Sequence, residues 1–175
     1  LGKRFNAKEV LMFMTNGNLH LGIITTHIPL KKVPNSISKV LIKNKYKLLH
    51  HGLINIFKIA SPKIAVLGVN PHAGESGTIG DEEQSIVIPA IGELKHEGYR
   101  ANGPVSADTA FTRTEYDAVL SMYHDQALPV LKTIDFHKTV NITLGLPILR
   151  ISVDHGTAED IAKNYSANHQ SMMEA

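Results

Sequence analysis

The chain has 175 residues, 43% of them hydrophobic, enough for one ordinary domain with a substantial core and short for a two-domain oxidoreductase. Eighteen Lys and Arg against 16 Asp and Glu are too evenly balanced for a nucleic-acid footprint or a membrane-docking patch. No apolar stretch reaches the ~18 residues of a membrane span and residues 1–10 lack the apolar core of a secretory signal, so the cytoplasm is the expected compartment.

Residues 10–15 and 19–26 are apolar runs flanking Asn16-Gly17-Asn18. Asn and Gly tolerate the positive φ of a tight turn, so this stretch reads as a β-hairpin, stopped by Pro29 just past His27. Between residues 34 and 60, Val40, Leu41, Leu48, Leu49, Leu53, Ile56 and Phe57 recur at roughly helical spacing. One or two helices fit, with Gly52 marking either a break or a close packing contact. Residues 63–69 are a compact run of the buried-strand type, ending in Asn70-Pro71-His72 and the glycine-rich turn Gly74-Glu75-Ser76-Gly77. The acidic run Asp81-Glu82-Glu83 opens a helix with Ile86, Ala90, Ile91 and Leu94 on its face and Gly98 at its end, and Pro89 should kink it. Ala118–Tyr123 is another strand, followed by His124-Asp125 and a short helical stretch. Val140–Leu144 and residues 148–153 add two more strands, and residues 158–175 read as an interrupted helix. Strands alternating with helices argue for an α/β layer fold.

The absence of cysteine confines any metal to nitrogen and oxygen ligands, which makes the ten histidines the informative residues. His27, His72 and His124 each lie at or just past the C-terminal end of an apolar strand, where α/β sheets place ligands. Three converging imidazoles hold a metal and leave positions open for water or a substrate oxygen. Each histidine alone is equally an ordinary loop residue, and such long spacing is less specific than a HExxH run. The glycines from Gly74 to Gly80 serve either a flexible turn or the approach of backbone amides to an anion.

The blocks Thr25-Thr26-His27-Ile28-Pro29-Leu30, Gly68-Val69-Asn70-Pro71-His72-Ala73-Gly74-Glu75, Gly103-Pro104-Val105-Ser106-Ala107-Asp108-Thr109 and Met122-Tyr123-His124-Asp125-Gln126 follow one another in the chain. Val140-Asn141-Ile142-Thr143-Leu144-Gly145-Leu146-Pro147 and Ser152-Val153-Asp154-His155-Gly156-Thr157-Ala158 continue the series. In content and order these resemble the motifs of the 4-hydroxythreonine-4-phosphate dehydrogenase family, over nearly the whole chain. The resemblance implies that His27, His72 and His124 are ligands of a divalent metal (zinc, magnesium, cobalt or manganese) and that Lys132, Asn141 and Arg150 contact substrate. Those types suit the task, since lysine and arginine neutralise phosphate or carboxylate and an asparagine amide orients a hydroxyl or carboxylate. Lys132, Asp108 and Asp125 form the expected catalytic group. Each aspartate is either a partner that fixes a histidine tautomer or a helix cap or turn residue. His155-Gly156-Thr157-Ala158-Glu159-Asp160-Ile161-Ala162 is similar to the nucleotide-contacting loop of the wider isocitrate and isopropylmalate dehydrogenase group. His155, Gly156, Thr157, Ala158 and Asp160 are the expected contacts to NAD or NADP, in a group that needs no GxGxxG fingerprint.

The fold so implied is a partial isocitrate/isopropylmalate dehydrogenase-like α/β layered fold, with a β-hairpin and a mixed sheet flanked by helices. Residues 1–130 are expected to form a metal-binding and dimerising lobe, and residues 131–175 a substrate-contacting segment that starts the return to a nucleotide-binding lobe. The implied activity is metal- and NAD(P)-dependent oxidation of 4-phosphohydroxy-L-threonine to a β-keto acid that loses carbon dioxide, giving 3-amino-2-oxopropyl phosphate on the route to pyridoxal phosphate. The implied assembly is a homodimer with active sites near the subunit interface. The family's long first segment, ending in a substrate-contacting His-Thr pair, and its C-terminal end are missing from this sequence. A fragment that binds metal but is inactive alone is therefore expected. The alternatives are a dehydrogenase of another four-carbon acid phosphate, a metal hydrolase with the three histidines activating water, and a dimerising module without activity.

Overall fold

Asn16 and Gly17 reverse the chain between its first two strands. In the computed structural model, which describes residues 2–153 and 169–175, Gly17 takes φ +88°. Asn16 Oδ1 accepts the backbone N–H groups of Asn18 (3.2 Å) and Leu19 (2.9 Å), which only a short polar side chain can do at a turn. The expected hairpin forms, with β1 (Leu11–Thr15) antiparallel to β2 (His20–Thr25).

Five further strands complete the sheet: β3 (Lys63–Leu67), β4 (Arg100–Val105), β5 (Ala118–Tyr123), β6 (Val140–Leu144) and β7 (Arg150–Val153). Their order is β4-β3-β5-β2-β1-β6-β7. The first four in that order run parallel, and from β2 onward neighbours are antiparallel. Strand β4 was not expected, because Asn102-Gly103-Pro104 reads locally as a turn. It survives as a strand because it lies at the sheet edge, where a proline's missing N–H need not break a ladder.

Among the described residues six α-helices flank the sheet: α1 (Val33–Ser36), α2 (Lys39–Asn55), α3 (Ile88–His96), α4 (Ala107–Ala110), α5 (His124–Ile134) and α6 (Gln170–Glu174). Ser38 caps α2 by accepting the Leu41 N–H at 3.2 Å. Along α2, Ile42, Tyr46, Leu49 and Leu53 are fully buried on one helical stripe. Helix α2 runs through Gly52, where a Cβ would stand 2.6 Å from Leu144 Cδ1, so this glycine marks a close packing contact and not a break. The helix expected from residue 81 begins instead as a π-helical turn, Glu83–Val87, and becomes α-helical at Ile88. Pro89 therefore sits in the first turn of α3, where its missing N–H costs little, and Gly98 follows the helix at φ +89°.

Strand residues alternate between two faces. Leu11, Phe13, Ile64, Val66, Leu120 and Ile142 meet α2 and α3 in the larger core, while Met14, Leu21, Ile23, Leu67 and Val119 meet Leu128 and Leu131 of α5 on the other side. Strand β2 is buried along its whole length because both layers cover it. Salt bridges from Lys39, Lys43 and Lys47 of α2 to Glu93 of α3 and Glu97 just beyond it, at 2.6–2.8 Å, lace the outer helices together. Exposed pairs of this kind contribute tenths of a kcal/mol each, so the apolar core dominates. Among the described residues no helix is long and apolar enough to cross a membrane.

His20 is a buried group that titrates near neutral pH when exposed. His20 is buried against Phe13 and Phe57, with ring centroids 5.8 and 4.5 Å away, and its Nδ1 lies 2.8 Å from Thr15 Oγ1. Burial pushes its pKa below 6.5, partly opposed by the charge of Asp117. The unfolded chain therefore takes up a proton near pH 6.5 that the folded chain refuses. Stability is complete above that pH and falls as pH drops toward the folded value, by at most about 1.4 kcal/mol per pH unit for one proton. Chemical denaturation at pH 7.5 and 5.5 should show His20→Phe losing less stability on acidification than the parent; equal losses would place the sensitivity elsewhere.

Candidate functional site

Strands β3, β5 and β2 are adjacent and parallel, so their C-terminal ends emerge side by side. His27 lies two residues past β2, His124 directly follows β5, and His72 comes five residues after β3. All three candidate ligands thus belong to one edge of the sheet. The His27 and His124 rings come together, with centroids 5.6 Å apart and a 49° tilt, at the rim of a cavity of about 280 Å³ also lined by Thr26, Ile28, Leu30, Val33 and Tyr123. Asp125 Oδ1 lies 2.6 Å from His124 Nδ1. A carboxylate there favours the tautomer protonated at Nδ1 and leaves Nε2 available as a donor atom.

His72 makes a similar but looser pair, its Nδ1 3.8 Å from Asp108 Oδ2. A 2.5 Å hydrogen bond from the Ser106 hydroxyl holds Asp108 below the usual carboxylate range, with the neighbouring His72 acting in the same direction. Among the described residues no three His, Asp or Glu side chains approach closely enough to hold one metal ion. Within a single chain the structure joins His27 to His124 and leaves His72 with Asp108.

Polar side chains tie the three strand ends to one another. The Thr25 hydroxyl donates to the Met122 carbonyl at 2.7 Å, linking β2 to β5. Gln126 accepts the Met122 N–H at 2.8 Å and donates to the Gly68 carbonyl at 2.7 Å, linking β5 to β3. Beyond Gly68 the chain forms a left-handed turn, Pro71–Gly77, in which His72, Ala73, Glu75 and Ser76 all have φ between +41° and +58°. Left-handed backbone costs on the order of 1–2 kcal/mol per non-glycine residue, so this turn must be held from outside. Glu83, fully buried, accepts the N–H groups of Val69 (2.6 Å) and Asn70 (2.7 Å) and the Asn70 side-chain amide (2.9 Å). Neither Glu83 nor Gln126 has a local sequence signal for these contacts; Glu83 reads as a helix-opening acid.

Of the expected substrate residues, Asn141 and Arg150 lie on neighbouring strands. Asn141 and Thr143 of β6 pair with Ser152 and Arg150 of β7, so all four project from the face that α5 covers over β2 and β5. Arg150 Nη1 reaches Thr143 Oγ1 at 3.5 Å, and Asn141 Oδ1 is buried without a hydrogen-bond partner among the described residues. Lys132 stands on α5 with its ammonium 5.6 Å from the Phe136 ring centre. His155, Gly156, Thr157, Ala158 and Asp160 lie outside the described residues.

The sequence profile of the family described as Pyridoxal phosphate biosynthetic protein PdxA matches residues 1–175. The chain belongs to the PdxA family. It is 48% identical over 170 residues to a 4-hydroxythreonine-4-phosphate dehydrogenase of Xylella fastidiosa, covering 95% of this chain and 52% of that protein. It is 47% identical over 178 residues to one of Neisseria meningitidis, covering 100% and 54%. The chain thus spans about half the length of the PdxA relatives it matches. A crystal structure of 4-hydroxythreonine-4-phosphate dehydrogenase from Klebsiella pneumoniae superposes with a TM-score of 0.88 at 39% identity, covering 98% of this chain and 52% of that one. A terephthalate 1,2-cis-dihydrodiol dehydrogenase from Burkholderia xenovorans gives 0.79 at 27% identity, covering 94% and 53%. The expected layered α/β fold, with its hairpin and mixed sheet, is therefore the fold of PdxA dehydrogenases.

The strand-end ties of this PdxA chain make a direct prediction. Gln126→Leu strands the Met122 N–H and the Gly68 carbonyl, each half-made bond costing about 1–3 kcal/mol where water cannot replace it. Urea denaturation should show a loss of about 2–3 kcal/mol, and an unchanged midpoint would mean that solvent substitutes for the glutamine.

Proposed function

We propose that the whole protein oxidises the secondary alcohol of 4-phosphohydroxy-L-threonine in the cytoplasm, passing hydride to NAD or NADP. The β-keto acid product then loses carbon dioxide to give 3-amino-2-oxopropyl phosphate. The observation that carries this reading is the His27–His124 pair at the carboxyl ends of adjacent parallel strands, in a chain of the PdxA family. The donor chemistry fits a divalent ion. Asp125 at His124 Nδ1 and Asp108 near His72 Nδ1 leave the outer nitrogens for coordination.

Two imidazoles are too few for a firm site, so the site draws donors from both copies of a homodimer, with His72 the third ligand. Its turn projects into solvent, and Ile28 and Leu30 are exposed beside the His27–His124 cavity, as an interface requires. His27, His124 and the partner copy's equivalent of His72 would hold a zinc, magnesium, cobalt or manganese ion, which would supply polarisation of the alcohol oxygen and stabilisation of developing negative charge.

The chain's own residues supply the rest. Arg150 and Lys132 neutralise the anionic ends of the substrate, and Asn141 Oδ1, without a partner among the described residues, accepts a bond from a substrate hydroxyl or ammonium. Lys132, Asp108 and Asp125 complete the catalytic group, and residues 155–158 with Asp160 contact the nicotinamide cofactor. In this division residues 1–130 carry the metal and the dimer contact, and residues 131–175 grip the substrate. The Burkholderia neighbour, named for a dihydrodiol, gives one specific reason to include other hydroxy acids and diols in the substrate screen.

In the whole protein, Arg150→Ala should lower kcat/KM about 10- to 100-fold, chiefly through KM, as expected when a charge-assisted contact to an anion is lost. Steady-state kinetics with 4-phosphohydroxythreonine and NAD or NADP provide the check, and unchanged kinetics would remove Arg150 from the site. Zinc titration of the His27→Ala and His124→Ala variants, with sedimentation of each, tests the shared site: each substitution should abolish tight binding while leaving the oligomer intact.

A further inference from the structure

The turn that carries His72 is strained, exposed and anchored at one end only by the sheet, so the pose of its imidazole needs a cause. That cause lies beneath it. Glu83 is the only acidic or basic residue apart from His20 that is buried among the described residues, and no basic side chain pairs with it there. Oε1 takes the successive backbone N–H groups of Val69 and Asn70, and Oε2 takes the Asn70 side-chain amide. The loop closes on these oxygens: a Cβ on Gly68 would stand 3.0 Å from Oε1, and one on Gly74 2.5 Å from Oε2. Gln126 holds the Gly68 carbonyl from the opposite side. Three N–H donors converging on one point require two acceptor oxygens, which a carboxylate has and an amide lacks.

We infer that Glu83 is a positioning residue for His72: its buried carboxylate fixes the left-handed turn Pro71–Gly77 in one pose and so sets where the imidazole is presented at the carboxyl edge. The inference rests on His72 acting as a donor in the proposed site. Glu83 itself lies under the turn, its carboxylate engaged by Val69 and Asn70. Its effect is transmitted through the backbone from Val69 to Gly74, much as outer partners elsewhere orient metal-ligating histidines.

The test is Glu83→Gln in the full chain, read by amide hydrogen exchange, by thermal unfolding and by zinc titration. Exchange should accelerate at residues 69–77 while the central strands β2 and β5 keep their protection, and zinc affinity should fall by roughly 10- to 100-fold. Unchanged exchange and affinity would overturn the inference, and so would a uniform loss of protection throughout the sheet, which marks a core contact without local control. Should Glu83→Gln fail to fold, Gly74→Ala presses on the same carboxylate from the turn side, and the same local pattern in that variant, or its absence, decides. If the parent protein itself takes up no zinc, the proposed metal site fails, and the exchange pattern alone then shows whether Glu83 governs the His72 turn.

Discussion

The arrangement depends on three strands pointing the same way. Because β3, β5 and β2 are neighbours and parallel, whatever follows each of them is delivered to one edge, and the three candidate histidines follow all three. Backbone ladders alone stop at the strand ends. The Thr25 hydroxyl and the Gln126 amide extend the register past that point, meeting at Met122 and reaching Gly68. These few side-chain bonds tie together the strand ends that the three candidate histidines follow.

The rest of the sheet serves this edge without sharing its strain. Helices α2 and α3 bury one face with aliphatic side chains on regular helical stripes, and α5 closes the other. Local preference, burial and capping agree there, as a foldable sequence requires. At the edge they disagree: four non-glycine residues adopt left-handed backbone, and a carboxylate is buried with no basic partner among the described residues. Such conflicts persist where the surrounding structure over-determines them and are concentrated at functional sites.

Much of this was legible in the sequence where the signal is local. The Asn16-Gly17 turn, the Ala118–Tyr123 strand and the helix after His124 fall where residue patterning puts them. The strand-end positions of the three histidines were readable for the same reason. What escaped is non-local. Strand β4 is hidden by Asn102-Gly103-Pro104 and exists because β3 supplies a neighbour. Pro89 announces a kink, yet the chain places it where a π-turn gives way to α-helix. Glu83 contacts residues 13 and 14 positions away, through a loop whose path no periodicity encodes. Which histidines meet is likewise a property of the folded edge, and that edge brings together two of the three.

The sheet also separates the two chemical groups in a way that constrains any ligand bridging them. Register places Arg150 opposite Thr143, Thr143 opposite Met12 and Met12 opposite Ile23, so the arginine stands two residues short of the end of β2. It is three strands away from β2, roughly 14 Å at ordinary strand spacing. The floor between is apolar on β1, where Met12 and Met14 face it, and polar on β6, where their partners Thr143 and Asn141 do. Helix α5 packs along β5 and β2 and carries Lys132 in its last turn. In the proposed reading, a short acid phosphate would span such a gap only if long, flexible cationic side chains lean toward the histidine edge. Lysine and arginine can do so, and a shorter side chain at either position could not.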